Sequence, residues 1–472
     1  MVLSPLPTPQ SPLTPVNRTL MSNQCHRLKI PPVAARARRT LDCGPGSKPL
    51  KVDHHIGGWL PRDHRTIERY ISKILELIKH DQRALSDLSP SVVQFKNLID
   101  NNAILRMGFT EMFDQVPTKP PYNLDPTLKP QIRDYDTMFR AFDYIITHPI
   151  PYEDNDLVGF PINAILDWPM GTDAGLSTFL SPEVNAQFKN MFDEWSKFLS
   201  SSASCEYLTT EANGWFCPAA SAHMPSFAET YECDASAQYY GFKSWDDFFT
   251  RRFLPGVRPV DYPDPKFQNI ITSACESQVY KFAYDVKERD KFWIKGEPYS
   301  LRDMLNNDSY TNQFVGGTIY QAFLSAYKYH RWASPVTGVI DRFEIIPGTY
   351  YAESPVTGFD NPDGSPDPAG PNWSQAYISA IAARALVWIK ADNTAIGLIG
   401  FLAIGMSEVS TCEVTVKKGD KVSKGDQLGM FHFGGSTHCL IFRKGVKVTF
   451  DVAVGDDVKL NQGMATIGEG KC

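Results

Sequence analysis

Lys424-Gly-Asp-Gln-Leu-Gly-Met-Phe-His-Phe-Gly-Gly-Ser-Thr437 decides how the C-terminal part of this 472-residue chain is read. It starts on a Gly-Asp turn and ends on Gly434-Gly435-Ser436, a tripeptide that by itself is ordinary turn punctuation. Two similar pieces flank it, Val416-Lys-Lys-Gly-Asp-Lys-Val422 and Val454-Gly-Asp-Asp-Val458, each with Gly-Asp between valines and a further glycine downstream. Hairpin chemistry repeated in this way predicts a small β-barrel or sandwich, with Ser436 on the connection between its halves. Just upstream, the apolar run Ala395 to Met406 reads as a buried strand, because it is too short and too broken by Gly397, Gly400 and Gly405 to span a bilayer.

Towards the N-terminus the pattern changes. From about Asp63, Ile67, Tyr70, Ile71, Ile74, Leu75 and Ile78 recur at helical spacing with Arg, Glu and Lys between them. Ser181-Pro182 predicts a capped helix start, followed by Val184, Phe188, Met191, Phe192 and Trp195 on one face. Ser244-Trp-Asp-Asp247 is a capping box ahead of a short helix, and beyond it come β-branched segments separated by Gly and Pro. The expected class is α+β: a tail over 1–55, a helical domain over 56–225, and a mostly β domain over 226–472 with a barrel-sandwich-like C-terminal part. Residues 358–372, with five acidic or amide residues, four prolines and three glycines, read as a surface loop or a lid over a site. His54-His55 reads as surface.

Composition narrows the functional class. With 42% hydrophobic and 21% charged residues the chain is that of a soluble globular protein, and a net charge of −6 without a basic stripe argues against nucleic acid as a partner. The nine cysteines are scattered with no C-x-x-C pair, so neither a disulfide framework nor a metal ribbon is expected, and a reducing, cytoplasmic setting fits best. Residues 1–40 carry six basic residues, no acidic ones and seven prolines, which predicts a disordered tail, an organelle-directing transit segment being the alternative.

The bond between Gly435 and Ser436 has a chemistry of its own. A serine hydroxyl can attack the carbonyl of the preceding residue, and a glycine there has no Cβ to block the approach. The resulting ester can eliminate across Cα and Cβ of Ser436, and hydrolysis then leaves a pyruvoyl group at the new N-terminus. Such a reaction needs a nucleophile, a base and an acid that orients the base, and Ser436, His330 and Glu276 supply those types. Taken singly, His330 reads as a structural histidine and Glu276 as a surface charge. An ordinary serine hydrolase is the competing reading, but no G-x-S-x-G elbow surrounds Ser436.

Four segments together resemble the phosphatidylserine decarboxylase family of pyruvoyl enzymes: Ser244-Trp-Asp-Asp-Phe-Phe-Thr-Arg-Arg-Phe-Leu-Pro-Gly-Val-Arg-Pro259, Ser273-Ala-Cys-Glu-Ser277, Tyr329-His-Arg-Trp-Ala-Ser-Pro335 and Lys424 to Thr437. The resemblance covers roughly residues 235–470 and is closest to the family's soluble fungal L-tryptophan decarboxylase branch, which extends the likeness back to about residue 60. It implies a self-processing carboxy-lyase, cut between Gly435 and Ser436 into two chains that stay associated. Its cofactor would be a pyruvoyl group from Ser436, with neither pyridoxal phosphate nor a metal and without an integral membrane anchor. The implied substrate is a small-molecule aromatic amino acid, tryptophan first, with phosphatidylserine as the alternative. Proton return to the substrate carbon falls to His330, with Tyr329 second.

Position 333 departs from the family pattern. The family's second histidine in this motif stands where this chain has Ala333, and alanine offers no base. Either His432 or His438 substitutes, or His330 reaches the site, or the chain is an uncleaved precursor or an inactive relative.

Overall fold

The computed structural model describes residues 64–115, 132–153, 160–290, 299–324, 327–352, 375–408 and 411–468, which hold a run of helices followed by fourteen strands with three short helices among them. The 1–55 tail, His54-His55 and the 358–372 loop lie outside those residues. The described residues all fall within one compact unit, 49–472.

The helical half forms where the periodicity predicts it. Helices α1 (His64–Ile78), α2 (Pro90–Asn101), α3 (Ala103–Gln115), α4 (Tyr135–Thr147), α5 (Pro161–Met170), α6 (Asp173–Phe179) and α7 (Pro182–Leu199) follow one another. Ser181 Oγ accepts from the Val184 N–H at 3.4 Å, Pro182 fills the first turn, and Val184, Phe188, Met191, Phe192 and Trp195 are all buried. Phe95 sits among Phe109, Phe139 and Phe188 with ring centroids 4.9 to 5.9 Å apart, so α2, α3, α4 and α7 meet over one aromatic knot. Each such ring removed from water contributes about 1.5–3 kcal/mol.

The strands are β1 (Ile270–Thr272), β2 (Ser277–Ala283), β3 (Thr318–Leu324), β4 (Arg331–Ala333), β5 (Gly338–Ile346), β6 (Arg384–Ala391) and β7 (Leu398–Met406), then β8 (Cys412–Val414), β9 (Lys421–Val422), β10 (Gln427–Phe431), β11 (Gly435–Phe442), β12 (Lys447–Phe450), β13 (Asp457–Val458) and β14 (Gly463–Gly468). An antiparallel sheet of order β13-β2-β3-β11-β7-β6-β5-β9 forms the middle layer, with β1-β14-β12 and β4-β10-β8 as two small sheets. Period-two alternation sorts its side chains. Ile319, Leu402, Ile404, Cys439 and Ile441 join the apolar cluster of the helical half. Tyr320, Ala322, Phe401, Ala403, Leu440 and Phe442 join Ile271, Leu428, Phe431 and Ile467 of the small sheets. The sheets stay open at β13 and β9, and no barrel closes among the described strands.

The two Gly-Asp pieces do not fold back on the strands that precede them. In each, the aspartate carboxylate accepts the N–H three residues upstream, Asp420 from Lys417 at 2.7 Å and Asp456 from Ala453 at 2.8 Å, while Gly419 and Gly455 take φ +92° and +94°. The chain then leaves as β9, which pairs with β5, and as β13, which pairs with β2, so the repeated turn builds the two opposite edges of one sheet. Asp426 makes the same turn onto Ser423 N–H ahead of β10.

Candidate active site

Ser436 is not on a connection, as the turn-like sequence suggests, but inside β11 near the middle of the large sheet. It lies opposite Leu324 of β3 and Gly405 of β7, and ladders on both sides absorb the strand through to Phe442. The β-branched and apolar run Thr437 to Phe442 accounts for this, because it fits a strand buried on both faces. Ser436 is fully buried and its hydroxyl has no hydrogen-bond partner, which leaves a costly polar group unsatisfied in an apolar layer. Immediately upstream Gly434 takes φ +132°, a conformation that favours glycine.

Phe433 anchors the approach to the junction from the helical side, edge-on to Trp195 of α7 at 4.9 Å and to Trp245 at 4.6 Å. Trp245 opens the short helix Trp245–Phe249, whose cap is Ser244 Oγ accepting from Asp247 N–H at 3.1 Å. The return bond of the expected capping box goes one residue earlier, from Lys243 N–H to Asp247 at 3.0 Å.

His330 is fully buried, stacked on Phe249 at 3.9 Å, and Phe249 in turn meets Phe433 at 5.8 Å. Burial, helped by the Arg251 charge, holds the ring well below the usual histidine range, so it is neutral at physiological pH. The Lys328 backbone pulls the other way, yet neither ring nitrogen reaches hydrogen-bond geometry with a partner. A neutral imidazole suits a proton acceptor better than a donor. Tyr329 stacks on Phe253 at 4.2 Å, and burial pushes its phenol up to about 12.

Glu276 sits in the turn between β1 and β2 and is ion-paired to Arg258. Ala333 of β4 is buried and donates its N–H to Ala274 O at 2.9 Å, so position 333 abuts the Glu276 turn. No hydrogen bond links Ser436, His330 and Glu276: the serine hydroxyl and the histidine ring have no partner, and the carboxylate accepts from Arg258.

The two auxiliary histidines differ sharply. His432 bridges Asp246 at 3.0 Å and Glu413 at 2.9 Å. Burial would lower its pKa, but the two carboxylates outweigh burial and raise it, which favours the charged form. His438 is fully buried on β11 without a hydrogen-bond partner, beside Tyr320 at 5.7 Å and Phe401 at 5.9 Å, and burial pushes it down to about 3.

One acid at this end of the sheet is not anticipated from the motifs. Just past Met406, which faces Gly435, Ser407 takes φ +57° and turns the chain so that Glu408 is fully buried. Its carboxylate accepts the Asn163 N–H in the first turn of α5 at 2.5 Å, and Ser407 Oγ donates to Asn163 Oδ1 at 2.8 Å. Burial outweighs these backbone bonds and pushes the carboxyl up to about 8. A glutamate two residues past the end of a twelve-residue apolar run is the signal that could have found it.

A cavity of about 600 Å³ opens near the same end of the sheet, walled by Phe192, Tyr350, Ile346, Lys189, Arg384 and Cys412. Its wall meets the junction through two backbone links: Ala383 O accepts from Gly405 N–H, opposite Ser436, and Thr411 O accepts from His432 N–H at 3.0 Å. Arg384 spends its guanidinium on the carbonyls of Met304, Ala382 and Asp303 and so fastens this wall.

Known proteins resemble this chain over most of its length. Residues 89–224 and 245–466 match the two sequence profiles of phosphatidylserine decarboxylase. The chain is 38% identical to an L-tryptophan decarboxylase of Psilocybe cubensis over 405 residues, 82% of this chain and 88% of that protein. This chain belongs to the phosphatidylserine decarboxylase family. It is also 47% identical to Decarboxylase iboD of Amanita muscaria over 324 residues, 66% of this chain and 91% of that protein. A phosphatidylserine decarboxylase proenzyme of Fusobacterium nucleatum is 30% identical over 237 residues, half of this chain and 72% of that protein. The chain is thus a decarboxylase of this family. No helix among the described residues is long and apolar enough to cross a membrane.

Proposed function

We propose that this chain is the proenzyme of a pyruvoyl-dependent decarboxylase of free aromatic L-amino acids, tryptophan first, matured by cleavage of its own Gly435–Ser436 bond. The observation that carries the reading is the buried, unpartnered Ser436 hydroxyl next to Gly435 and the left-handed Gly434. Likeness to tryptophan decarboxylases across both halves of the chain supports the substrate class.

Ser436 fits the cofactor's origin, since a hydroxyl with no other partner is ready to turn on its neighbour. Its Oγ attacks the Gly435 carbonyl as the hydroxyl proton leaves, and the C–N bond breaks with a proton passing to the Ser436 nitrogen. Loss of the Ser436 Cα proton then expels the Gly435 carboxylate, and water releases the nitrogen as ammonia. A pyruvoyl group supplies a carbonyl for the substrate's amine and an electron sink for loss of CO2. The cavity beside Tyr350 and Phe192 is within the usual range for small-molecule sites and offers aromatic walls. For the proton returned to the substrate carbon, Glu408 is a candidate beside His330: it lies two residues past Met406, which faces Gly435, and keeps its proton near neutral pH.

Incubation of purified protein with tryptophan, without added pyridoxal phosphate, should give tryptamine and CO2. Borohydride with substrate should label the small chain, 436–472. Label on a lysine of the large chain, or turnover of phosphatidylserine vesicles but not tryptophan, would overturn the reading. A second reading, a trapped precursor, is favoured by Ala333 and by the engagement of Glu276 with Arg258. A single uncut chain after long incubation would select it, and Ser436→Ala should give that band in every case.

A further inference from the structure

We infer that His438 is the base that takes the Ser436 hydroxyl proton during self-cleavage, in place of the ring that Ala333 lacks; the inference rests on the self-cleavage reading above. Ser436 and His438 are two residues apart on β11, so their side chains leave the same face of the sheet, separated by roughly 6.6 Å of strand rise. That spacing lies within reach of a ring leaning along its strand.

Their cross-strand neighbours are small. Opposite Ser436 on β7 stands Gly405, and opposite His438 stand Ala322 and Ala403, so three of the four cross-strand positions carry one carbon of side chain or none. The hydroxyl and the two ring nitrogens are fully buried and none reaches full hydrogen-bond geometry, although the Ala322 backbone acts on the ring; such burial is expensive unless the two groups meet during the reaction. A ring kept neutral by its apolar surroundings has a lone pair free to accept the proton, and the charge it then carries lasts only until the proton passes on to the Ser436 nitrogen.

The other histidines fit less well. His432 spends both nitrogens on Asp246 and Glu413, and the His330 ring is stacked on Phe249 within the aromatic cluster that includes Phe433. Proton transfer from Ser436 Oγ to His438 frees the oxygen to form the ester at Gly435. The same ring can then return that proton to the Ser436 nitrogen as the C–N bond opens, so no co-reactant enters before the water of the final hydrolysis.

The test is time-resolved cleavage of newly synthesised full-length chain, read as the masses of residues 1–435 and 436–472. Fold is checked by melting against Ser436→Ala. His438→Gln and His438→Leu should each slow cleavage at least about 100-fold, the usual contribution of a general base. The Leu variant suits the apolar neighbours and keeps the test decisive if the Gln variant fails to fold. Adding Ala333→His to either should restore the rate to within about tenfold, which loss of packing alone would not permit. Cleavage of a folded His438 variant at the parental rate overturns His438 and leaves self-cleavage standing. A parent chain that never cleaves, even with Ala333→His, overturns both.

Discussion

The Glu408 carboxylate and the Asn163 backbone N–H meet at 2.5 Å, joining the end of the strand beside Ser436 to the first turn of α5. The groups facing this carboxyl include the phenols of Tyr70 on α1 and Tyr351, whose own pKa values it helps to raise. An acid whose folded pKa lies near 8 instead of 4.5 contributes stability that is complete below about 4.5 and is lost as pH rises through about 8.

Stability measured by urea denaturation should therefore fall between about pH 4.5 and pH 8, by up to about 1.4 kcal/mol per unit, and level off above that. Glu408→Gln should flatten that slope while keeping an acceptor for Asn163. An unchanged slope in the variant would show that Glu408 is not the group responsible. If the proton-return role is right, the same variant should cut and then decarboxylate slowly.

Arg258→Met should destabilise the protein by about 3–5 kcal/mol, because it strands the Glu276 carboxylate in a largely buried turn. It also removes the guanidinium lying 4.6 Å over the Phe253 ring. Glu276→Gln should cost less, since no uncompensated carboxylate remains. Equal losses in the two variants, measured by urea midpoint at constant slope, would show that the pair is not what matters.

Phe433→Ala should cost about 3–5 kcal/mol, as for other fully enclosed rings. The ring is braced by Trp195, Trp245 and Phe249, so the loss should be accompanied by a change in tryptophan emission. Loss of stability without a spectral change would mean that the cavity does not form at this contact.

Gly429→Ala should displace Trp332, because an added Cβ would lie 2.6 Å from that indole and 2.2 Å from Glu413 O. Overpacking of this kind costs about 1–3 kcal/mol. Trp332 packs on Phe401 at 5.4 Å, next to His438, so cleavage should slow as well. Pairing the change with Trp332→Phe should recover part of the stability, and no recovery would place the clash on the backbone instead.

The helices were readable because each one carries its own instructions: the Ser181 cap, the Pro182 start and the 3.6-residue spacing of Val184 to Trp195 all act within a few residues. Strand pairing is set by partners distant in sequence, so Gly-Asp looked like a hairpin when it delivers edge strands to β5 and β2. Gly434-Gly435-Ser436 looked like a turn for the same reason, as nothing local to it reveals β3 and β7 on either side. Residue types at the junction were legible, but their engagement was not: that Glu276 holds Arg258, that His432 is claimed by two carboxylates and that Glu408 caps a helix from across the chain are all tertiary facts.

A cut before Ser436 would leave the smaller product owning β11, β12, β13 and β14. That fragment would be threaded through the centre of the large sheet, hydrogen-bonded on both flanks to β3 and β7, with β13 clipped to the far edge on β2 and β14 holding β1. Neither product could complete the sheet alone. A chain cut after folding should therefore behave as one body that separates only when denatured.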